Sequence, residues 1–331
     1  MMHAATFFDG EGWRDGIIDL DGERMLLRDA PPAADLPRLD GVIIGGFTDH
    51  HVHLQLVDHL LLQESTLGRV VDLGATPSVV AALSAKLGEA RNASADPPPH
   101  AVIVDFAGAF LTPVGGYPSD RDWAPAGSFR EIASAEAAHA AVTEMADAGA
   151  SCIKVASNAT AGPVFDDALF RAIVAAASAR GLPVVAHAEG AGQAQRAARL
   201  GAARLAHAPF SERLDDDEID VQAASVAWVS TLSIHDAGSE ERSIAVDNVR
   251  RFRSAGGTVL YGTDMGNGPT PVGLNPAELA ALRDAGMEGV DLLRAFAPQN
   301  PLDSSALLLR LPGTDADPTL ARPLTSADLK A

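Results

Sequence analysis

Two histidines separated by a single residue, His51 and His53, follow a β-branched run near the start of the chain. In a β-strand the side chains of residues i and i+2 point to the same face, so both imidazoles could bind one metal ion. A pair of this kind is also common in ordinary structural positions. The metal hypothesis therefore depends on whether other ligand-type residues reach the same place.

Four further polar residues lie in or at the carboxyl ends of later predicted strands, namely Lys154, His187, His207 and Asp264. Each has an ordinary interpretation of its own, as a salt-bridged lysine, a hydrogen-bonded core histidine or a turn-capping aspartate. A lysine within an apolar strand is nevertheless costly to bury unless it is paired, modified or a ligand. Six such residues at one end of a parallel sheet favour a single metal site over independent coincidences.

Short β-branched runs alternate with alanine-rich helical stretches from about residue 40 onward, which is typical of βα units around a parallel sheet. Eight runs are recognised, at 42–44, 69–73, 101–106, 151–155, 182–187, 203–207, 226–232 and 258–264. Helices are predicted between them, for example at 77–93, 133–148, 166–180 and 243–255. Eight units over about 260 residues predict a (β/α)8 TIM barrel. A doubly wound sheet is the alternative, but no glycine-rich dinucleotide fingerprint follows the first run.

Several of the predicted helices are followed by a glycine suited to a left-handed helix end, namely Gly149, Gly181, Gly201 and Gly256. The two ends of the chain differ from the rest. Residues 1–45 contain short strand-like runs joined by Asp-Gly turns, which is a hairpin signal. We predict that 1–45 and 305–331 form a small β-rich appendage beside a barrel at 46–304.

Acidic residues outnumber basic residues by 44 to 25, which gives a formal net charge of −19. This balance argues against a nucleic-acid partner or an anionic membrane surface and is otherwise a solubility feature. The single Cys152 cannot form an intramolecular disulfide and excludes a thiolate zinc site. No signal peptide and no apolar stretch long enough to span a bilayer are recognised, so a cytoplasmic location is expected.

These residues and the strings around them resemble the amidohydrolase superfamily of metal-dependent hydrolases. The string at residues 45–54 reads GGFTDHHVHL and is similar to the family's opening signature. The later strings GASCIKV at 149–155, VVAHAEG at 184–190 and GTD at 262–264 are similar to imidazolonepropionase-like and prolidase-like members. The resemblance covers roughly residues 5 to 310.

The resemblance implies a binuclear metal site, usually containing zinc, with manganese, cobalt and iron as alternatives. Carried over residue by residue, the more buried ion would be bound by His51, His53 and Asp264. The more exposed ion would be bound by His187 and His207. The ions would lower the pKa of a water and polarise a substrate carbonyl, so that a metal-bound hydroxide attacks the carbonyl carbon.

Lys154 and Asp264 carry the catalytic roles that the resemblance implies. Lys154, carboxylated by carbon dioxide, would bridge both ions. The chemistry favours this modification, because an ammonium group has no lone pair for a cation whereas a carbamate offers two oxygens. Asp264 would accept the water's proton and pass it to the leaving nitrogen.

Substrate specificity is expected in the loops at the same rim, the longest of which runs from 108 to 130. Tyr117 stands where related enzymes often have a histidine after a Gly-Gly pair, and it is predicted to contact the substrate or donate to an oxyanion. His235, after the seventh run, is the second predicted substrate contact. Arg121, Arg130 and Gln55 are further candidates that the sequence does not rank.

The function predicted from these residues is hydrolysis of a C–N bond in a small or cyclic amide. A lactonase or other ester hydrolase using the same site is the first alternative, because hydroxide attack on a carbonyl serves both reactions. A heterocycle deaminase is less favoured, since deaminases of the family typically lack the strand-four lysine and carry an acid where Gly190 stands. A non-catalytic binding protein is the remaining alternative. The expected partner is a small-molecule substrate, and homo-oligomerisation is left open.

Overall fold

The structure is a computed structural model and describes residues 1–21, 24–89 and 100–330. Over these residues the chain forms strands and α-helices joined by loops and short 3-10 helices. The strands are β1 (Met2–Phe8), β2 (Trp13–Asp21), β3 (Arg24–Arg28), β4 (Arg38–Gly45), β5 (Phe47–Val52), β6 (Leu67–Asp72), β7 (Ile103–Phe106), β8 (Phe110–Pro113), β9 (Phe129–Ile132), β10 (Ile153–Asn158), β11 (Val184–Glu189), β12 (Arg204–Leu205), β13 (Ala227–Val229), β14 (Val259–Leu260), β15 (Leu308–Leu311) and β16 (Arg322–Pro323). The α-helices are α1 (Pro77–Gly88), α2 (Ala135–Asp147), α3 (Asp167–Ala179), α4 (Gln193–Arg199), α5 (Asp216–Ala223), α6 (Glu240–Ser254), α7 (Pro276–Asp284) and α8 (Gly289–Ala295).

Two parallel sheets carry the predicted site. The larger has seven strands in the order β14-β13-β12-β11-β10-β8-β9, and the smaller has three in the order β5-β6-β7. Every neighbouring pair in both sheets is parallel. The predicted α/β class with a parallel sheet is therefore confirmed. Because the carboxyl ends of parallel strands lie at one edge, residues that follow different strands can meet there.

Backbone contacts join the smaller parallel sheet to the larger one on both sides. Near β7 and β10, the Ser151 N–H donates to the carbonyl oxygen of Phe106 at 2.8 Å. At the other side, Val52 at the end of β5 forms a parallel bridge with Met265, which follows β14. The segments that carry His53 and Asp264 are thus neighbours in space, although more than 200 residues of chain separate them.

The segment 108–130, predicted as one long loop, instead contains two strands. β8 pairs in parallel with both β10 and β9 inside the seven-stranded sheet. All four residues of β8 are buried. The prediction of an irregular loop was wrong here, because the glycines and prolines around this short apolar run concealed it. The eighth predicted run is also shorter than expected, since β14 covers only two residues of 258–264.

A six-stranded sheet in the order β16-β15-β4-β1-β2-β3 combines strands from both ends of the chain. β1 and β2 form an antiparallel hairpin, and β15 pairs antiparallel with β4. The last strands of the chain thereby lie beside the first. The predicted division into an appendage at 1–45 plus 305–331 and a barrel at 46–304 stays a prediction.

Side chains cap the first turns of several helices, namely α2, α3, α5, α6 and α7. Ser134 and Asp166 accept hydrogen bonds from the first turns of α2 and α3, close to the predicted starts. α6 begins at Glu240, three residues before its predicted start, because Ser239 caps it. α1 ends at Gly88, and residues 90–93 of the predicted helix lie outside the described residues. The four glycines predicted to end helices all have positive φ, as expected: Gly149, Gly181, Gly201 and Gly256.

The main apolar core includes buried residues from both parallel sheets and from the helices. None of the helices in the described ranges combines the length and apolar character that crossing a membrane requires.

Candidate metal centre

His51 lies near the end of β5 and His53 directly after it, and backbone carbonyls orient both imidazoles. The Nδ1 atom of His51 is 2.9 Å from the carbonyl oxygen of Ala206, and the Nδ1 atom of His53 is 3.1 Å from that of Gly74. A carbonyl can only accept a hydrogen bond, so Nδ1 carries the proton on each neutral ring and Nε2 keeps a lone pair. Metal-binding histidines are commonly held in this way.

Gly74 also explains how the His53 ring is enclosed. A Cβ atom at position 74 would lie 2.0 Å from the ring of Phe110, which stacks on His53 with a centroid distance of 5.7 Å. Only glycine therefore allows the backbone after β6 to approach both rings.

Asp264 brings a carboxylate against the two histidines. Its Oδ1 atom lies 3.1 Å from Nε2 of both His51 and His53. Although buried, neither this Oδ1 nor Nε2 of His51 has a hydrogen-bond partner in the described part of the chain. The Oδ2 atom accepts a hydrogen bond of 2.8 Å from Asn267, which fixes the orientation of the carboxylate. Asp264 has a φ of +56°, a left-handed conformation that non-glycine residues seldom adopt except at functional sites.

His187 in β11 and His207 just after β12 form the second half of the cluster. Their ring centroids lie 4.9 Å apart. The Nδ1 atom of His207 is 2.9 Å from Oγ1 of Thr231. The Nε2 atom of His187 is 3.3 Å from a carboxylate oxygen of Glu189, so a neutral ring that donates to this oxygen keeps its lone pair on Nδ1.

Lys154 lies in β10 with only 1% of its surface exposed. The described residues offer its Nζ atom no hydrogen bond or ion pair. Nζ lies over the Phe110 ring, 5.9 Å from its centroid. Burial lowers the pKa of Lys154 to about 8, although the nearby Asp264 carboxylate acts in the opposite direction. A larger share of this side chain than of an ordinary lysine is therefore neutral amine near neutral pH, and the neutral amine is the form that reacts with carbon dioxide.

Burial also governs the protonation of the ring nitrogens. It lowers the pKa values of His51 and His207 well below the usual range for histidine. Burial acts on His53 in the same direction, but the carboxylates of Asp264 and Asp72 outweigh it and raise the pKa of this ring. Burial alone would raise the pKa of Asp264, yet the neighbouring His51 and His53 rings hold it well below its ordinary value.

This donor set fits a divalent cation. Ligand atoms of His51, His207 and Asp264, all buried, lie within 4.8 Å of one another. Imidazole and carboxylate donors without a thiolate suit zinc and other first-row metals. The buried Nε2 of His51 and Oδ1 of Asp264 have no other partner, and a cation would satisfy both atoms.

A cavity of about 130 Å³ opens over these groups. Its lining includes all six predicted ligands and the predicted substrate contact Tyr117. The lining residues are His51, His53, Phe110, Tyr117, Trp123, Lys154, His187, Glu189, His207, Phe210, Ile234, Asp264 and Asn267. The structure therefore brings together the residues that the sequence singled out at the ends of five different strands.

His235, the other predicted substrate contact, does not line the cavity. Its ring packs against Phe210, a lining residue, with a centroid distance of 4.5 Å. Arg130 and Gln55 do not reach the cavity either. Arg130 donates to Glu144 at 2.6 and 2.9 Å, and Gln55 accepts from the backbone of Thr76.

Asp49 supports the site and was not singled out from the sequence. Its buried carboxylate accepts hydrogen bonds from the Thr263 hydroxyl at 2.6 Å, the Thr263 N–H at 3.2 Å and the His51 N–H at 3.0 Å. It thereby ties the end of β5 to the segment that carries Asp264. Burial raises the pKa of Asp49 to about 7. Its position two residues before His51 is the sequence feature that could have indicated this role.

Glu278 in α7 is a second residue that supports the site, and no sequence motif next to it indicates this role. Its buried carboxylate accepts from the backbone N–H groups of Leu232 and Ser233 at 2.9 and 2.7 Å. This fixes the segment after β13, where Thr231 has a φ of +43° and contacts His207. Glu278 is more than 40 residues away in sequence, so only the folded chain shows the relationship.

Substitution of Asp49 by asparagine is expected to lower the free energy of unfolding by about 2–4 kcal/mol, because one acceptor oxygen cannot satisfy three buried donors. Urea denaturation followed by circular dichroism measures this change. Asp35, which is exposed, provides the matched control, and Asp35→Asn should shift stability by less than about 0.5 kcal/mol. Equal stabilities of the two variants would show that the Asp49 contacts do not hold β5 in place.

Comparison with known proteins shows the fold but no close relative. No family model matches the chain, and no curated protein matches it in sequence. Among solved structures, the chain is similar to a Xaa-Pro dipeptidase with bound methionine, with a TM-score of 0.71 and 17% identity over 98% of this chain and 99% of that one. It is also similar to ochratoxinase from A. niger, with a TM-score of 0.70 and 16% identity over 97% and 92% of the two chains.

A third similar structure is phenylurea hydrolase B, with a TM-score of 0.65 and 15% identity over 96% of this chain and 92% of that chain. The structural neighbours include prolidase-like and amidohydrolase proteins. The resemblance to the amidohydrolase superfamily is thus confirmed as a resemblance of fold. The low identities carry no substrate from these proteins to this chain.

Proposed function

We propose that this chain is a metal-dependent hydrolase that cleaves the C–N bond of an amide. The observation that carries the proposal is the convergence of buried donor atoms, above all Nε2 of His51 and Oδ1 of Asp264, which lack other partners. His51, His53 and Asp264 would hold the more buried of two divalent cations, for which we propose zinc. His187 and His207 would hold the more exposed one.

Lys154 would bridge the two cations as a carbamate formed with carbon dioxide. Its complete burial, its lack of an ion pair and its lowered pKa support this role. An unmodified ammonium in this position would face the cations with a like charge, which is unfavourable in a buried site. Carboxylation replaces that positive charge with a negative one and supplies two oxygen donors.

When bound, such cations lower the pKa of a water and polarise a carbonyl group. Asp264 would accept the proton of the attacking water on Oδ2 and deliver it to the leaving nitrogen, because Oδ1 would be occupied as a cation ligand and Asn267 orients Oδ2. Tyr117 lines the same cavity, and burial raises the pKa of its hydroxyl well above the usual value, with Asp264 and Glu189 adding to the effect. The hydroxyl therefore stays protonated and is suited to donate to the developing oxyanion.

The amide rather than the ester reaction is supported by the structural neighbours, which include a Xaa-Pro dipeptidase and a phenylurea hydrolase. We also propose that the two parallel sheets form one closed (β/α)8 barrel. The backbone contacts between the sheets on both sides support that arrangement. A small-molecule substrate and a cytoplasmic location belong to the same proposal.

Metal reconstitution tests the proposed function. After chelation and reconstitution with zinc or manganese in bicarbonate, we expect about two metal equivalents per chain and recovery of amide hydrolysis. His187→Ala should lose at least one equivalent, whereas His139→Ala, on an exposed part of α2, should keep both. Elemental analysis and a panel of amides and lactones provide the measurements. Less than one equivalent in the reconstituted protein would contradict the binuclear site, and turnover of lactones alone would assign the site to ester hydrolysis.

A further inference from the structure

The outer wall of the cavity is aromatic. Phe110 stacks on His53, Tyr117 stacks on His187 with centroids 5.2 Å apart, and Trp123 contacts both Phe110 and Tyr117. Phe210 completes the wall beside His207. The cavity volume of about 130 Å³ is close to that of an apolar protein cavity that admits one benzene ring. The wall therefore suits an apolar group about the size of a single ring.

The charges on this wall are not those of a site for a substrate carboxylate. Apart from Lys154 and Asp264, which the proposed function assigns to the metal cluster, the charged side chain in the lining is Glu189. Among the described residues that line the cavity there is no arginine and no second lysine. A substrate carboxylate would thus meet an acidic group and aromatic rings without a protein cation to pair with.

Glu189 is held in place with its charge toward the cavity. The Asn158 amide donates to Oε2 at 2.7 Å, and the Thr160 hydroxyl donates to Oε1 at 2.8 Å. Asn158 is itself fixed, because its Oδ1 accepts from the backbone N–H groups of Thr160 and Ala161, each at 3.1 Å. The Glu189 carboxylate therefore cannot turn away from a bound substrate without breaking these contacts.

The two arginines of the segment 108–130 have other partners. The guanidinium carbon of Arg121 lies 5.8 Å from the centroid of the Tyr117 ring, and its Nε is 3.3 Å from an oxygen of Asp120. Arg130 is bonded to Glu144. Neither arginine belongs to the cavity lining. The segment in which substrate contacts were predicted therefore supplies aromatic surface to the cavity and no positive charge.

We infer that the site selects uncharged amides that carry an apolar group the size of one ring, and that it rejects amides in which this group carries a free carboxylate. The inference rests on the proposed function, since it concerns the substrate of the same site. It separates this chain from hydrolysis of dipeptides, whose terminal carboxylate would lie against the wall that contains Glu189.

Two anilides of nearly equal shape test the inference. 4-Acetamidobenzamide is neutral and 4-acetamidobenzoate is anionic, while the amide bond to be cleaved is the same in both. With zinc-loaded protein, binding is measured by calorimetry and hydrolysis by release of the aromatic amine. We expect the neutral compound to bind and react at least ten-fold better, which corresponds to about 1.4 kcal/mol.

A pair of variants at Trp123 tests the same inference by changing the charge of the cavity wall instead of the charge of the compound. The Trp123 side chain is 38% exposed at the edge of the cavity, so a charged replacement needs little burial. Trp123→Arg is expected to raise the affinity for the benzoate at least ten-fold relative to Trp123→Gln, with little change for the benzamide. The same benzoate-to-benzamide ratio in both variants would overturn the inference.

The outcomes separate the inference from the function on which it rests. Selective binding of the benzamide without cleavage of either compound supports the inference and overturns hydrolysis. Cleavage of the benzoate as fast as the benzamide overturns the inference and leaves the hydrolase in place. Failure of both compounds to bind overturns the assignment of the aromatic wall to a ring-sized neutral group.

Discussion

Substitution of Lys154 by alanine is expected to lower kcat/KM by at least about 10³-fold, because the bridging carbamate would be lost together with the cation held between the two halves of the cluster. Short carboxylic acids such as acetate should restore part of the activity, since alanine leaves space beside Phe110 for an added carboxylate. Amide hydrolysis measured against acetate concentration gives the result. The metal content of the variant should fall and then recover with acetate.

Two further variants make this experiment specific. Lys154→Met fills the space that alanine leaves, so it should be inactive and acetate should not restore it. Lys86→Ala, on an exposed part of α1, should behave as the unchanged protein. Carbon NMR after incubation with labelled bicarbonate should show a carbamate signal that disappears in Lys154→Ala. The signal is readily assigned to Lys154, because the chain contains only three lysines. Unchanged turnover in Lys154→Ala would refute the bridging role.

The residues of the metal cluster could be predicted because each lies in or after a strand, and the carboxyl ends of parallel strands lie at the same edge of the sheet. In a parallel sheet, the residue that follows one strand lies near the residue that follows its neighbour. His187 in β11 and His207 after β12 illustrate this, since the two strands pair directly. The 3.1 Å approach of Asp264 to His51 could only be anticipated by assuming that the sheet turns back on itself. The count of eight βα units supplied that assumption, and the resemblance to a known family agreed with it.

The parts that could not be predicted depend on contacts distant in sequence or on short elements. β8 is four residues long and lies between turn-forming glycines, so periodicity cannot distinguish it from a loop. Phe110 is buried and stacks on His53, which follows a strand of the other parallel sheet, so only the folded chain shows this contact. His235 was expected at the cavity because it follows a strand, but the chain passes through a 3-10 helix first, and the ring packs against Phe210 without lining the cavity, so its contact with substrate stays a prediction.

Asp49 shows how a motif contains more than its metal ligands. The sequence drew attention to His51 and His53, yet the aspartate beside them bonds to Thr263 and so aligns the strand that presents Asp264. Its role depends on a partner more than 200 residues away. A single sequence does not reveal that pairing, whereas the three donors around one buried carboxylate make it plain.

Substitution of Asp264 by asparagine is the second change with a very large expected effect, a fall in kcat/KM of about 10³- to 10⁴-fold. Asparagine keeps the size of the side chain but removes the negative charge and the proton acceptor. Nδ2 of the new amide could also face the two histidine Nε2 atoms, which now lie 3.1 Å from the carboxylate. Steady-state amide hydrolysis with zinc-loaded protein measures the loss.

Metal analysis then separates the two roles assigned to Asp264. If the carboxylate serves mainly as a ligand, Asp264→Asn should contain less metal, and added zinc should recover activity in parallel with metal content. If it also moves the proton, activity should stay low after the metal is replaced. Asn267→Ala is the matched control, because it frees Oδ2 without changing the carboxylate, and a loss of only about ten-fold is expected. Full activity of Asp264→Asn at full metal content would show that another group accepts the proton.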